Sequence, residues 1–442
     1  MNITRLTGLA LIAFMLGACG GAEQEQPTAE EPAEAVADEM TVSDAELAGN
    51  PFREEWDTPF GVPPFSAIEN GHYMPAVKKA VLELREEIAA IADNDEAPTF
   101  ENTIIALELA GDSLNRVAFT FGNITGTDTD DELRALETEI YPMLTREFNA
   151  ITLNPVLYER VKTVYDMRDS LELSEQEARL LELSHRGFVR AGAAFEPDVK
   201  EKIAAINEEI SALTTKFAQS LLLETKAFTL ELKTDEEIAG LSDDFKAAIW
   251  DEEKEAWVVG LNRSAYESFM VQSQNRDLRE KLFNGYRLRA SQGERDNGPL
   301  AIKIAQLRAE RAELMGYESH AHYILEYNMA KTPQGAEDFL LRVWRPGLEQ
   351  AKKERTDMQA MLGDTTFQAW DWWHLAEKLR LERYDLDENA TKPYFKLENV
   401  REGAFTMANR LFGITFDEVD VEGWNPVVVS FDVKDENGEH LG

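Results

Sequence analysis

Histidine is scarce in this chain and cysteine nearly absent: 442 residues carry six histidines and one cysteine, Cys19. A lone cysteine can form no internal disulfide in any compartment, so nothing in the fold is stapled covalently. No histidine is followed by a glutamate; the six precede Tyr73, Arg186, Ala321, Tyr323, Leu375 and Leu441. A zinc helix of the H-E-x-x-H type needs two imidazoles one turn apart with a Glu base between them, and these residues do not supply one. G-x-S-x-G, G-x-x-x-x-G-K-[ST] and G-x-G-x-x-G are missing as well, which removes the nucleophile-elbow hydrolases and two phosphate cradles. Positive charge is short too, 45 Lys and Arg against 83 Asp and Glu for a net charge of −38. Such a surface repels phosphate backbones, and nucleic acid is not expected as a partner.

An apolar run long enough to cross a bilayer is also lacking. "MNITRLTGLALIAFMLGAC" (1–19) has one Arg, a short apolar stretch and small residues before the cysteine, the pattern of a secretory signal. Leu16-Gly17-Ala18-Cys19 resembles the bacterial lipobox, in which the cysteine is lipidated and becomes the new N-terminus; the alternative is an ordinary signal peptide that contains a cysteine. The lipobox reading makes Cys19 the lipidation site and places the chain in the cell envelope, on the periplasmic side. Gly20 rather than Asp after the cysteine points to the outer membrane by the same analogy. Residues 20–49 hold acids, Ala and Pro but no base and no aromatic. A segment so poor in apolar surface is expected to stay disordered, a tether reaching on the order of 30 Å.

What is abundant is helical periodicity, and 43% hydrophobic residues are enough for a sizeable core. Val77, Val81, Leu84, Ile88 and Ile91 recur at 4, 3, 4, 3 spacing, one stripe along a helix entered near Pro75. Val199, Ile203, Ile206, Ile210, Leu213, Phe217 and Leu221 mark a longer one. Ser174 to Glu177 has the capping-box form, and Thr332-Pro333 suits an N-cap followed by a first-turn proline. Strand signals are few: "AFTLELKTD" (227–235) and "AWVVGL" (256–261) are candidates for a small hairpin or for pairing elsewhere. Residues 427–434 alternate apolar and polar, and Asn437-Gly438 is a type I′ turn signal, so a β-hairpin is expected to be cut just past its turn. The fold class is mainly α: an elongated multi-helix body over 50–420, with β structure from Val427.

Three clusters bear on chemistry. His320 and His322 stand about 200° apart on a helix, so they could share a metal only in a loop or strand. His185 lies on an apolar face between Leu181 and Phe188 and reads as a hydrogen-bonded core residue. In "WDWWHLAEKLRLERYDLDENATKPYF" (370–395), Asp385, Asp387 and Asn389 mimic the start of a calcium loop. Ala390 replaces the required glycine and Lys396 the bidentate acid, which speaks against calcium. Trp370, Trp372 and Trp373 beside His374 could form a ligand platform, although a buried helix start is the commoner use of such rings. From residues alone the chain is a secreted helical body with no catalytic set, a binding or scaffold lipoprotein.

That last block, followed by "LFGITF" (411–416), closely resembles a segment of bacterial peptidyl-dipeptidases, zinc metallopeptidases related to thimet oligopeptidase and oligopeptidase A. Agreeing blocks run in order: "NPF" (50–52), "FENTIIALELAG" (100–111), "LLELSHRGFVRAGAAF" (180–195), "REKLFNGYRLRA" (279–290) and "MAKTPQGAEDFL" (329–340). The resemblance implies that the helical region forms one wall of a peptidase channel and that residues 421–442 begin a catalytic domain. It also implies a zinc site, on an H-E-x-x-H helix and a later Glu, placed after the segment matching this sequence. In the complete enzyme that metal activates a water for attack on short unstructured peptides, with release of C-terminal dipeptides. No catalytic or metal-binding residue can be carried onto this chain. The expectation is therefore a partial peptidyl-dipeptidase, inactive alone, whose zinc half is missing or supplied by a second polypeptide. The alternative is a non-catalytic peptide-binding lipoprotein.

Overall fold

In the computed structural model, residues 40–384 and 391–442 are described. The longer helices of the N-terminal half are α1 (Tyr73–Ala92), α2 (Asp112–Thr127), α3 (Asp131–Thr152), α4 (Pro155–Asp166), α5 (Glu175–Ala191) and α6 (Pro197–Ala227). Three short strands follow, β1 (Leu230–Leu232), β2 (Trp250–Asp251) and β3 (Ala256–Val259). Then come α7 (Arg263–Gln272), α8 (Arg276–Leu288), α9 (Gly298–Leu314), α10 (Pro333–Leu362), α11 (Trp372–Tyr384) and α12 (Leu397–Phe412). β4 (Thr415–Val419) and β5 (Ser430–Lys434) close the order. Helix dominates, as the periodicity implied, and the chain divides into two compact units.

The first unit comprises the described residues up to 219, with 302–316 and 417–432. Its core is centred on α1, whose stripe Val77, Val81, Leu84, Ile88 and Ile91 is buried throughout. An aromatic chain crosses it: Trp56 on Phe52 at 5.6 Å, Phe52 on Tyr73 at 5.6 Å, Tyr73 on Phe121 at 5.1 Å and Phe121 on Tyr141 at 5.8 Å. Burial pushes the Tyr73 hydroxyl up to about 12. The Asn-Pro-Phe block is fixed by local hydrogen bonds. Asn50 accepts the Phe52 N–H at 3.0 Å and donates to the His72 carbonyl at 2.8 Å. Residues 40–49 belong to the stretch expected as a tether, yet Met40 and Leu47 are buried. Met40 lies in the same core as α1, so even two apolar side chains in an acidic segment suffice where a groove receives them.

α5 begins with the reciprocal cap expected of Ser174 and Glu177: Ser174 Oγ accepts the Glu177 amide at 3.3 Å and Glu177 accepts the Ser174 amide at 2.8 Å. α6 differs from its sequence stripe. Ile203 and Ile206 are buried, but further along the buried positions are Ser211, Thr215 and Ser220. The Thr145 hydroxyl of α3 donates to Ser211 Oγ at 3.1 Å, and Asn207 donates to Asn149 at 3.0 Å. Arg311 of α9 donates to Asn207 at 2.7 Å. The α3–α6 seam is thus partly polar, linked by side-chain hydrogen bonds.

The second unit comprises 220–301, 317–416 and 433–442. β1 and β3 pair directly, antiparallel, with Leu230 opposite Val259 and Leu232 opposite Trp257; β2 adds on the other edge of β3. Leu230, Leu232, Val259, Phe269, Met270 and Leu282 form its core. Gly285 on α8 is required by packing, since a Cβ there would sit 2.4 Å from the Phe228 ring. Thr332 caps α10 by accepting the Gly335 amide at 3.0 Å.

At the C-terminal end two expectations are corrected. β structure begins at Thr415, inside the stretch read as helical body, because Gly413 at φ +74 ends α12 and releases the chain into β4, which pairs with β5. The strand at 427–434 is only Ser430–Lys434. The turn is also not type I′: Gly438 alone takes positive φ, +82. Gly438 donates to the Asp435 carbonyl at 3.1 Å, while the Asp435 carboxylate accepts the Asn437 and Glu439 amides at 2.8 Å each. That is a type I turn followed by a left-handed glycine, the three-residue hairpin alternative. Lys434 and His440 form the bridge beyond it.

Candidate functional site

The six histidines lie among the described residues, and each is used locally. His72 Nδ1 accepts the Glu69 amide at 2.9 Å in a capping box. His185 stacks flat on Tyr165, centroids 3.9 Å apart at 4°, and leans on Tyr158. Burial lowers its pKa against the opposing pull of Asp166. Its polar use is thus a ring stack rather than the hydrogen bond expected from its apolar flanks. His320 and His322 start the helix His320–Leu325, where Ser319 Oγ lies 2.9 Å from His322 Nδ1. A helix sends the two rings to different faces, as the 200° argument requires. His440 belongs to the terminal hairpin.

Zinc does not fit these residues. Among the described residues no three of His, Cys, Asp and Glu gather as a metal site, and no His-Glu pair occurs anywhere in the sequence. The calcium-like Asp385, Asp387, Asn389 and Ala390 lie outside the described residues, as does Cys19. Lys396 sits at the N-cap of α12.

The Trp-rich block forms a different constellation. Asp371 is 0% exposed and receives two guanidinium groups. Arg276 forks onto it, Nε to Oδ1 at 2.9 Å and Nη2 to Oδ2 at 2.7 Å, and Arg279 Nη2 reaches Oδ1 at 3.2 Å. Arg279 also donates to the Ser273 and Trp370 carbonyls, and Arg276 to the Thr366 carbonyl. Burial alone would raise the Asp371 carboxyl; the Arg276 fork, the Gln368 amide and Arg279 outweigh it and hold the carboxyl below its ordinary value. His374, one turn later, has Nδ1 2.9 Å from the Val271 carbonyl, and burial lowers its pKa. The start of α11 is thereby bolted to α7 and α8. Trp370 packs edge-on to Phe283 at 6.1 Å and Trp372 against Phe367 at 6.1 Å, while Trp373 is exposed. Two of the three rings therefore serve the helix start. Sequence reading missed this triad because 95 residues separate Arg276 from Asp371.

The same unit carries exposed apolar surface. On α10, Phe339, Leu340, Val343 and Trp344 are 57%, 64%, 60% and 63% exposed. Their spacing puts all four on one helix face. Leu397, Val400, Met407, Leu411 and Phe412 of α12 are exposed in the same way. Exposed apolar side chains gathered on one helix face are the pattern expected of an interaction surface.

Comparison with known proteins falls on this region. Residues 269–442 match the model of peptidase family M3. The chain is 35% identical over 404 residues to a dipeptidyl carboxypeptidase of Escherichia coli (strain K12), covering 89% of this chain and 59% of that protein. It is 28% identical over 399 residues to an oligopeptidase A of Salmonella typhimurium, covering 87% of this chain and 59% of that protein. With an organellar oligopeptidase A of Arabidopsis thaliana it shares 28% over 422 residues, 91% of this chain and 53% of the relative. The chain thus spans less than two thirds of these relatives' length. The blocks read from the sequence and the matched relatives lead to one assignment: residues 269–442 carry a peptidase family M3 segment, and the chain as a whole is similar to dipeptidyl carboxypeptidase and oligopeptidase A.

Proposed function

We propose that this chain supplies the helical, peptide-enclosing part of a zinc peptidase that releases C-terminal dipeptides from short unstructured peptides. The zinc ligands come from residues outside these 442, and the chain by itself does not hydrolyse peptides. The activity follows the name of the dipeptidyl carboxypeptidase relative. The division of labour follows the missing His-Glu pair. The observation that carries the reading is the exposed Phe339, Leu340, Val343 and Trp344 face of α10, inside the family-matched segment, which requires a protein surface to cover it. The reading includes attachment through a lipid on Cys19, on the periplasmic side of the envelope. Replacing Cys19 by Ser and following incorporation of labelled fatty acid tests that part: label lost with Cys19→Ser supports it, label retained or never present refutes it.

Dye binding and sedimentation of the purified chain test the main reading. It calls for strong binding of an apolar dye and self-association, both reduced by Leu340→Glu with Trp344→Lys. A peptide-binding lipoprotein that works alone would instead be a dye-silent monomer with measurable peptide affinity, and that outcome overturns the proposal.

A further inference from the structure

Within the first unit, a cleft of about 400 Å³ opens between residues 65–66 and the loop 422–428. Its size suits one side chain or a small ligand. Phe65 and Trp424 meet edge to face at 6.0 Å and 67°, forming one wall. Ser66 Oγ donates to Glu422 Oε2 at 3.0 Å, which fixes a carboxylate at the rim. Behind it, Asn425 donates to Asp128 at 3.4 Å, a second carboxylate one hydrogen bond from the lining. Among the described residues no Lys, Arg or His lines the cleft.

The loop is built to hold this shape. Asn425 accepts the Val427 amide on its side chain at 3.2 Å and the Val428 amide on its carbonyl at 3.0 Å. Gly423 permits the closure, since a Cβ there would come within 2.6 Å of Val428 Cβ. Trp424 is therefore presented from a closed turn whose ends are tied to two other segments of the unit, and it stays more than a third exposed.

We propose that this cleft binds the cationic side chain of a basic peptide residue, an arginine guanidinium above all. Aromatic faces attract a cation through the ring quadrupole, and a fixed carboxylate beside them adds direct charge complementarity. An anion finds no donor charge here. Arginine fits better than lysine because a planar guanidinium can lie on an indole face while forking onto a carboxylate. The choice of a peptide as carrier rests on the peptidase reading; the recognition of the cation does not.

Calorimetric titration of the whole chain with N-acetyl-arginine amide and its neutral isostere, N-acetyl-citrulline amide, separates the two, because neither offers a dipeptide to release. The arginine compound is expected to bind at least about tenfold more tightly than citrulline, and more weakly as salt rises. Glu422→Gln keeps an acceptor for Ser66 and removes only the charge; it should erase most of that preference. Trp424→Ala should weaken arginine binding by about fivefold or more, with Trp424→Phe retaining most of it. Thermal midpoints of the variants establish that they are folded. Equal affinity for arginine and citrulline, no measurable binding of arginine, or arginine binding untouched by Glu422→Gln and Trp424→Ala would each overturn the proposal.

Discussion

Asp371 and Arg276 stand 95 residues apart in sequence and meet through two parallel hydrogen bonds, 2.9 and 2.7 Å. The carboxylate is wholly buried, so its two guanidinium partners are what permit the charge to exist there. Removing it leaves Arg279, itself 3% exposed, as an uncompensated buried cation. Asp371→Ala is expected to cost about 3–5 kcal/mol in chemical denaturation followed by a probe in the second unit. The carboxyl is held low in the fold, so its contribution is present above the unfolded value of about 3.9 and is lost as pH falls through the lower folded value. The wild-type minus Asp371→Asn difference should therefore shrink in acid and stay constant from pH 5 to 8. A difference that grows in acid would contradict the triad.

The contribution of His374 is also lost in acid, but because its neutral form is the one the fold holds. Burial lowers its pKa, so below about 6.5 the unfolded chain takes up a proton that the fold does not. Stability from this residue is complete above that pH and declines as pH falls toward the folded value. His374→Gln should flatten the stability profile between pH 7 and 5, read by denaturant midpoints. An unchanged profile would show that burial does not hold the His374 ring neutral in the fold.

Glu137 lies buried on α3, and burial raises its carboxyl in spite of hydrogen bonds from Thr125 and Gln219 and the nearby Arg134. A carboxyl raised in the fold costs stability once pH passes its unfolded value of about 4.3 and climbs through the folded one. Glu137→Gln is expected to raise the midpoint at pH 7 and to leave it nearly unchanged at pH 3. A lower midpoint at pH 7 would mean that the charge is doing structural service in the α3–α6 seam.

Local patterns were the legible part of this sequence. The α1 stripe, the Ser174 and Thr332 caps and the pairing candidates at 227–235 and 256–261 depend on neighbours a few residues apart, and they stand in the structure as helix, cap and sheet. What escaped depends on partners far along the chain. The Asp371 triad and the Asn207 to Arg311 contact link residues more than 90 apart. The polar α3–α6 seam was hidden because Val199 to Leu221 reads as an apolar stripe, although Ser211 and Thr215, four residues apart, take the buried line. β4 was missed because Thr415–Val419 contains only two apolar residues, and the glycine that frees it, Gly413, signals an end to helix rather than a strand.

The central proposal is that these 442 residues, similar to M3 peptidases, hold no catalytic zinc of their own. The most direct measurement is metal content and dipeptide release on the same preparation, purified with zinc present and assayed on an N-blocked tetrapeptide with and without chelator. The account predicts substoichiometric zinc and no chelator-sensitive release. One tightly held zinc per chain together with chelator-sensitive release of dipeptides would contradict it.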